Sequence, residues 1–173
     1  LDATAVGVDA DQGRLFLPNW AMQLVRTGRD RDVAVSFGRP GIAPELGLAV
    51  ATTGEGRILG LRLRDGTVVW QRRENVVFSG TVSIIPDAAT HDPLAVFVSE
   101  DCVLWGVRAR DGEPRWRIEL GGISRAPVAA VDETVIATTL ANRVARIAMA
   151  TGEVLWLRGR TRPSGLTVNG HGS

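Results

Sequence analysis

An all-β chain built from repeated four-stranded units is predicted by three observations. The first is a pattern written three times: Leu61-Arg62-Leu63-Arg64-Asp65-Gly66-Thr67-Val68-Val69-Trp70, Val107-Arg108-Ala109-Arg110-Asp111-Gly112-Glu113-Pro114-Arg115-Trp116 and Arg146-Ile147-Ala148-Met149-Ala150-Thr151-Gly152-Glu153-Val154-Leu155-Trp156. Each copy is a short alternating run, an Asp-Gly or Thr-Gly pair, and a Trp four residues after the Gly. The second is its interval, 46 residues from Trp70 to Trp116 and 40 from Trp116 to Trp156. The third is that no segment carries a useful 3.6-residue apolar stripe, so helices are not expected. Glycine reaches positive φ cheaply in a tight turn, and alternation turns one face inward, so each copy reads as a β-hairpin. Four short strands per ~40 residues is the period of a β-propeller blade.

Taken in order, residues 1–38 read as a degenerate first blade. Its strands are Ala5-Val6-Gly7-Val8, Arg14-Leu15-Phe16-Leu17, Met22-Gln23-Leu24-Val25 and Val33-Ala34-Val35-Ser36-Phe37, with Val35 or Phe37 where other units carry Trp. The second blade, about 39–74, opens at Gly41-Ile42-Ala43-Pro44 and continues through strands at 47–52 and 57–63, joined by Thr53-Gly54-Glu55-Gly56. The third, about 78–120, opens at 79–86, then carries a polar surface insertion at 87–93 and strands at 94–98 and 103–107. The fourth, about 121–160, opens at 122–127 and continues through strands at 134–139 and 143–147. Pro44, Pro86 and Pro127, at the openings of their units, precede their tryptophans by 26, 30 and 29 residues. Residues 161–173 start a further blade or supply a closing strand.

The expected whole is a single propeller domain over 1–173, with about four blades of four antiparallel strands. That is half of a seven- or eight-bladed ring, or a small closed ring. A half ring exposes strand edges and apolar faces, so a protein partner is expected: a second propeller half, a homodimer or a larger assembly.

Composition narrows the function classes. A hydrophobic content of 45% with 23% charge is ordinary for a globular domain. A net charge of +1 argues against a strongly basic nucleic-acid binder, so no nucleic-acid partner is expected, although all 20 basic residues are Arg. No run reaches the ~18 apolar residues of a membrane helix, so no membrane span is expected. The start, Leu1-Asp2-Ala3-Thr4, has no initiator Met, basic n-region or h-region and reads as trimmed. Cys102 opens the apolar run Cys102-Val103-Leu104-Trp105 and reads as a buried small hydrophobe, with Trp105 as core.

No catalytic, cofactor-binding or metal residue is assigned, and enzyme activity is not expected. The sequence holds no EF-hand loop, HExxH pair, Cys/His zinc spacing or Ser nucleophile elbow. Asp65, Asp111, Glu55, Glu100 and Asp101 fall in turns, as solvated turn-forming carboxylates do. His91 lies in a loop and His171 in the Gly-rich tail. Arg62 and Arg64, like Arg108 and Arg110, stand at alternate strand positions, either as a basic stripe for an acidic partner or as a solvated outer face. Trp20, after Pro18-Asn19, is an exposed partner anchor or a packed loop residue.

The strand, the Gly-containing turn, the x-Leu-x-Leu-x strand and the Asp/Thr-Gly-x-x-x-Trp together resemble the repeat of quinoprotein-like propellers. That family includes PQQ-dependent dehydrogenases and BamB-like proteins, and the resemblance covers residues ~39–160 well and 1–38 poorly. It implies that Trp70, Trp116 and Trp156 pack between neighbouring blades and that Gly66, Gly112 and Gly152 make the last strand's turn. It implies a non-catalytic scaffold for protein–protein interaction in an extracytoplasmic, periplasmic or cell-envelope assembly, or the sensor part of a larger protein. The alternative is a fragment of a PQQ-dependent dehydrogenase whose cofactor site lies in absent blades. That branch needs calcium on carboxylate and amide side chains, an Asp base and usually an adjacent Cys pair, whereas Cys102 is alone.

Overall fold

The computed structural model describes residues 38–87, 90–124 and 126–159, together with the short pair β1 (Gly7–Val8) and β2 (Leu15–Phe16). Three four-stranded antiparallel meanders follow one another. The first comprises β3 (Gly41–Ala43), β4 (Leu48–Thr52), β5 (Arg57–Arg62) and β6 (Val68–Arg73). The second comprises β7 (Ser83–Ile85), β8 (Leu94–Val98), β9 (Val103–Arg108) and β10 (Pro114–Glu119). The third comprises β11 (Ala129–Val131), β12 (Thr134–Thr138), β13 (Arg143–Ala148) and β14 (Val154–Gly159). Most of the unit expected over 1–38 lies outside the described residues, as do Trp20 and His171.

The repeated hairpin has one chemistry in all three sheets. Gly66, Gly112 and Gly152 take φ of 70°, 74° and 75°, and their N–H groups donate to the carbonyls of Arg62, Arg108 and Ala148 at 2.8, 2.8 and 2.9 Å. A left-handed glycine of this kind makes a bulged turn whose twist matches the strands, and a register shift sits beside the turn in every sheet. The residue before the glycine accepts the N–H of the residue after it: Asp65 from Thr67 at 3.1 Å, Asp111 from Glu113 at 3.0 Å and Thr151 from Glu153 at 3.2 Å. Asp serves there twice and Thr once because each carries a side-chain oxygen close enough to cap its own turn.

A second repeated turn joins the two central strands. Gly56, Cys102 and Asn142 take φ of 78°, 69° and 56° in equivalent four-residue turns that begin at Thr53, Ser99 and Thr139. The reading of Cys102 as a buried small hydrophobe is therefore corrected. It is half-buried, in the left-handed position that the other repeats give to Gly and Asn. The three prolines, though evenly spaced from their tryptophans, do not hold one place in the sheets. Pro44 and Pro86 follow the innermost strand, whereas Pro127 precedes it, because β11 and β12 close through a two-residue turn with Asp132 at φ 52°.

Side-chain alternation buries both faces of the central strands and stacks the sheets. Val50 and Ile58 of the first sheet meet Phe78, Ala95, Phe97, Trp105, Val107 and Ala109 around the second. Phe78 stands edge-on to Phe97 and Trp105 at 5.3 and 5.7 Å, the favoured geometry for ring quadrupoles. The other face of the second sheet places Val96, Val98 and Leu104 against Val135, Ala137, Ala145 and Ile147 of the third. Ala49, Ala51, Leu59 and Leu61 form a further cluster on the far face of the first sheet. β3 and β7 approach one another, while β6, β10 and β14 form the exposed outer edges.

Candidate interaction surface

The repeat tryptophans form two seams. Trp70 is paired in register with Gly60, and Trp116 with Gly106, and a Cβ on either glycine would overlap the indole. Only glycine lets the ring lie flat across its own sheet. Each ring then reaches the turn glycine of the next sheet, where a Cβ would stand 2.5 Å from Trp70 at Gly112 and 2.6 Å from Trp116 at Gly152. The indole N–H groups donate onward, Trp70 to the Ala109 carbonyl at 3.1 Å and Trp116 to the Met149 carbonyl at 2.7 Å. Arg72 adds an ion pair across the first seam, to Glu113 at 3.1 Å.

The third copy departs from this arrangement. Trp156 is paired with Arg146, so a guanidinium side chain stands where the other sheets have glycine. Its Nε donates to the Thr134 hydroxyl at 2.9 Å.

The four arginines singled out in the sequence do not form strand stripes. Arg62 and Arg108 end β5 and β9, whereas Arg64 and Arg110 lie in the turns beyond, a correction that follows from the bulged hairpin. Arg108 is bound to Asp111 at 2.8 Å, and its pKa is raised by that contact. Burial pushes the Asp111 pKa up, but the Arg108 contact and the Glu113 N–H outweigh it, leaving the carboxyl below its ordinary value. Arg62 and Arg64 share Asp65, at 3.3 and 3.7 Å, and Arg110 pairs with Asp92 at 2.8 Å. Hydrogen bonds from the Thr67 hydroxyl and N–H, helped by Arg62, hold the Asp65 pKa down to about 2.

Arg62, Arg64 and Arg110 nevertheless converge on one open groove of about 550 Å³, over Leu46, Leu48, Leu63 and Val69. Three guanidiniums thus face two counter-charges around an apolar floor. On the opposite rim, Arg117 lies 4.8 Å above the Trp105 ring, beside a shallow groove with Glu74, Asp101 and Glu119. Trp105 is buried as expected for core and donates to Ser99 Oγ at 2.9 Å.

The family model described as outer membrane protein assembly factor BamB matches residues 54–173. The chain belongs to the BamB family. Among solved structures, BamB from Moraxella catarrhalis is similar at 22% identity and TM-score 0.61, over 73% of this chain and 37% of that one. BBS1N, crystallised with ARL6DN, is similar at 17% identity and TM-score 0.53, over 66% of this chain and 35% of that one. The designed protein Ika8 is similar at 13% and 0.50, over 65% and 33%. These likenesses show the fold, a β-propeller of PQQ-like repeats, and the chain spans about a third of each of these structures. A comparison with curated proteins found no match.

The BamB-type repeat is shared with PQQ-dependent enzymes, whose calcium needs several oxygen ligands gathered at one point. Among the described residues no three of His, Cys, Asp and Glu gather as metal ligands, and Cys102 has no second cysteine to pair with. These residues do not fit a quinone-calcium site. No helix among the described residues is long and apolar enough to cross a membrane. Sequence spacing missed Leu46 and Leu63 of the groove floor and the Arg72–Glu113 bridge, because both join positions from separate hairpins or sheets.

Proposed function

We propose that this chain is a non-catalytic propeller segment whose outer rim makes protein–protein contacts in an extracytoplasmic, cell-envelope assembly. The observation that carries this reading is the groove of Arg62, Arg64 and Arg110 over Leu46, Leu63 and Val69, which suits a polypeptide offering carboxylates beside apolar side chains. BamB family membership supports both the scaffold role and the compartment.

Two titrations test the reading. Poly-L-glutamate is expected to bind the chain in 50 mM NaCl and to weaken severalfold at 300 mM, with Arg64→Ala weakening it further. Salt-independent binding, or none, removes the groove from the proposal. PQQ with calcium is expected to give no saturable spectral change. A saturable change replaces the scaffold reading with that of a quinoprotein-dehydrogenase fragment.

A further inference from the structure

At one place in the described sheets, two like charges stand directly opposite one another: Arg57 of β5 pairs in register with Arg73 of β6. The same register carries Val103 and Glu119 in the second sheet and Arg143 and Gly159 in the third. Opposed like charges destabilise a sheet unless a counter-charge lies between them. Alternation puts Gln71 on the same face of β6 as Arg73, away from Trp70. Arg57, Gln71, Arg72 and Arg73 line a groove of about 460 Å³ where β5 begins and β6 ends. Counter-charge there is incomplete. Arg57 is held by Glu55 at 3.0 Å, and Arg72 is taken up across the first seam by Glu113 at 3.1 Å. Arg73 has no ion pair and Gln71 no side-chain hydrogen bond among the described residues, and both are exposed.

We propose that this groove binds a phosphate monoester, held between the Arg57 and Arg73 guanidiniums with the Gln71 amide as a further donor. A carboxylate has two oxygens and one charge, which suits a single guanidinium fork, as Glu55 suits Arg57. A phosphate monoester has three terminal oxygens and a charge of about −1.5 to −2, so it answers two forks and an amide together. The groove of Arg62, Arg64 and Arg110 lies at the opposite ends of the same two strands, so neither site depends on the other.

Glu55 is the ligand's competitor. It engages Arg57 and, with Glu74, borders a neighbouring groove that Arg73 also lines. Removing its charge frees a guanidinium for the phosphate, whereas removing Arg73 takes away the fork that no carboxylate occupies. Arg73→Gln also relieves the opposed charges, so the variant is expected to melt no lower than the native chain, and a loss of binding is then not a loss of fold.

The test titrates the full chain with glycerol 3-phosphate at constant ionic strength and follows the arginine Nε–H signals by NMR. Saturable shifts are expected at Arg57 and Arg73, with none from acetate at the same concentration. Arg73→Gln is expected to weaken binding about fivefold, and Glu55→Gln to strengthen it by about as much. The charge-matched changes Arg115→Gln and Glu133→Gln, at exposed positions outside the groove, are expected to leave the affinity unchanged. The proposal is overturned if glycerol 3-phosphate does not saturate, if acetate matches it, or if Arg73→Gln weakens binding no more than Arg115→Gln does. Sedimentation with vesicles then separates two sources of the ester. Capture by phosphatidylcholine vesicles containing phosphatidate, lost with Arg73→Gln and absent with phosphatidylcholine alone, places the phosphate on a lipid headgroup. Saturable glycerol 3-phosphate binding without such capture places it on a soluble molecule.

Discussion

Asp65 shows how much of a turn one side chain controls. Its carboxylate caps Thr67 and holds Arg62, and its pKa falls from 3.8 to about 2 in the folded chain. A depressed folded pKa contributes stability that is present above the unfolded value and lost as pH falls through the folded one. The difference in melting temperature between the native chain and Asp65→Ala is therefore expected to be constant above about pH 5 and to close as the pH approaches about 2. Thermal unfolding at pH 7, 4 and 2 checks this. Cys102 gives a prediction of opposite sign. Its left-handed φ costs an L-residue about 1–2 kcal/mol, and glycine's extra chain entropy returns part of that. Cys102→Gly is expected to raise stability by up to about 1 kcal/mol in urea unfolding. Aspartate before glycine was legible as turn chemistry from local spacing. The strain at Cys102 was not, because beside the apolar Val103, Leu104 and Trp105 it reads as one more small hydrophobe.

At the scale of the hairpin and its seam, the tryptophans are not equivalent. Trp116 is 7% exposed and donates to the Met149 carbonyl, so Trp116→Ala is expected to cost about 3–5 kcal/mol. Trp70 is less buried, so its truncation is expected to cost less. Gly106→Ala forces a methyl into the Trp116 ring and is expected to cost about 1–3 kcal/mol by overpacking. Denaturant midpoints of the three variants give the ranking, and an equal loss at Trp70 and Trp116 would contradict the seam geometry. The Arg72–Glu113 bridge is half-exposed, with side chains at 31% and 57%, so its coupling in a double-mutant cycle is expected below about 1 kcal/mol and to fade with salt. The repeat pattern marked Trp70 and Gly66 directly. It did not mark Gly60 or Gly106, since an isolated glycine in a strand names no partner until the register is known.

For the molecule as a whole, stacking sets the order of stability. The second sheet has a neighbouring four-stranded sheet on each face, with Phe97 and Trp105 turned to one seam and Val96 and Leu104 to the other. β8 and β9 are therefore expected to be the slowest strands in hydrogen exchange, with β14 and β11 exchanging earlier. Mass spectrometry of exchanged peptides tests this, and a third sheet protected as fully as the second would show that its forward face is already covered. In a stacked array each sheet is stable only against its neighbours, so edge sheets open first.

Local chemistry determined what the sequence could declare alone. Asp-Gly and Thr-Gly pairs specify the bulged turns, alternation specifies strands, and a repeat near 40 residues specifies a blade, because each acts within a few residues of chain. Tertiary structure alone decided what lies across a seam. Glycines under Trp70 and Trp116, the approach of Arg110 to Leu63 and the bridge from Arg72 to Glu113 all depend on strand register and sheet stacking, which join residues from ten to more than forty positions apart. The same holds for Pro127, whose sequence distance from Trp156 imitates that of Pro86 from Trp116 while its place in the sheet differs. Spacing measures chain length, and chain length says nothing of which strand a turn has closed.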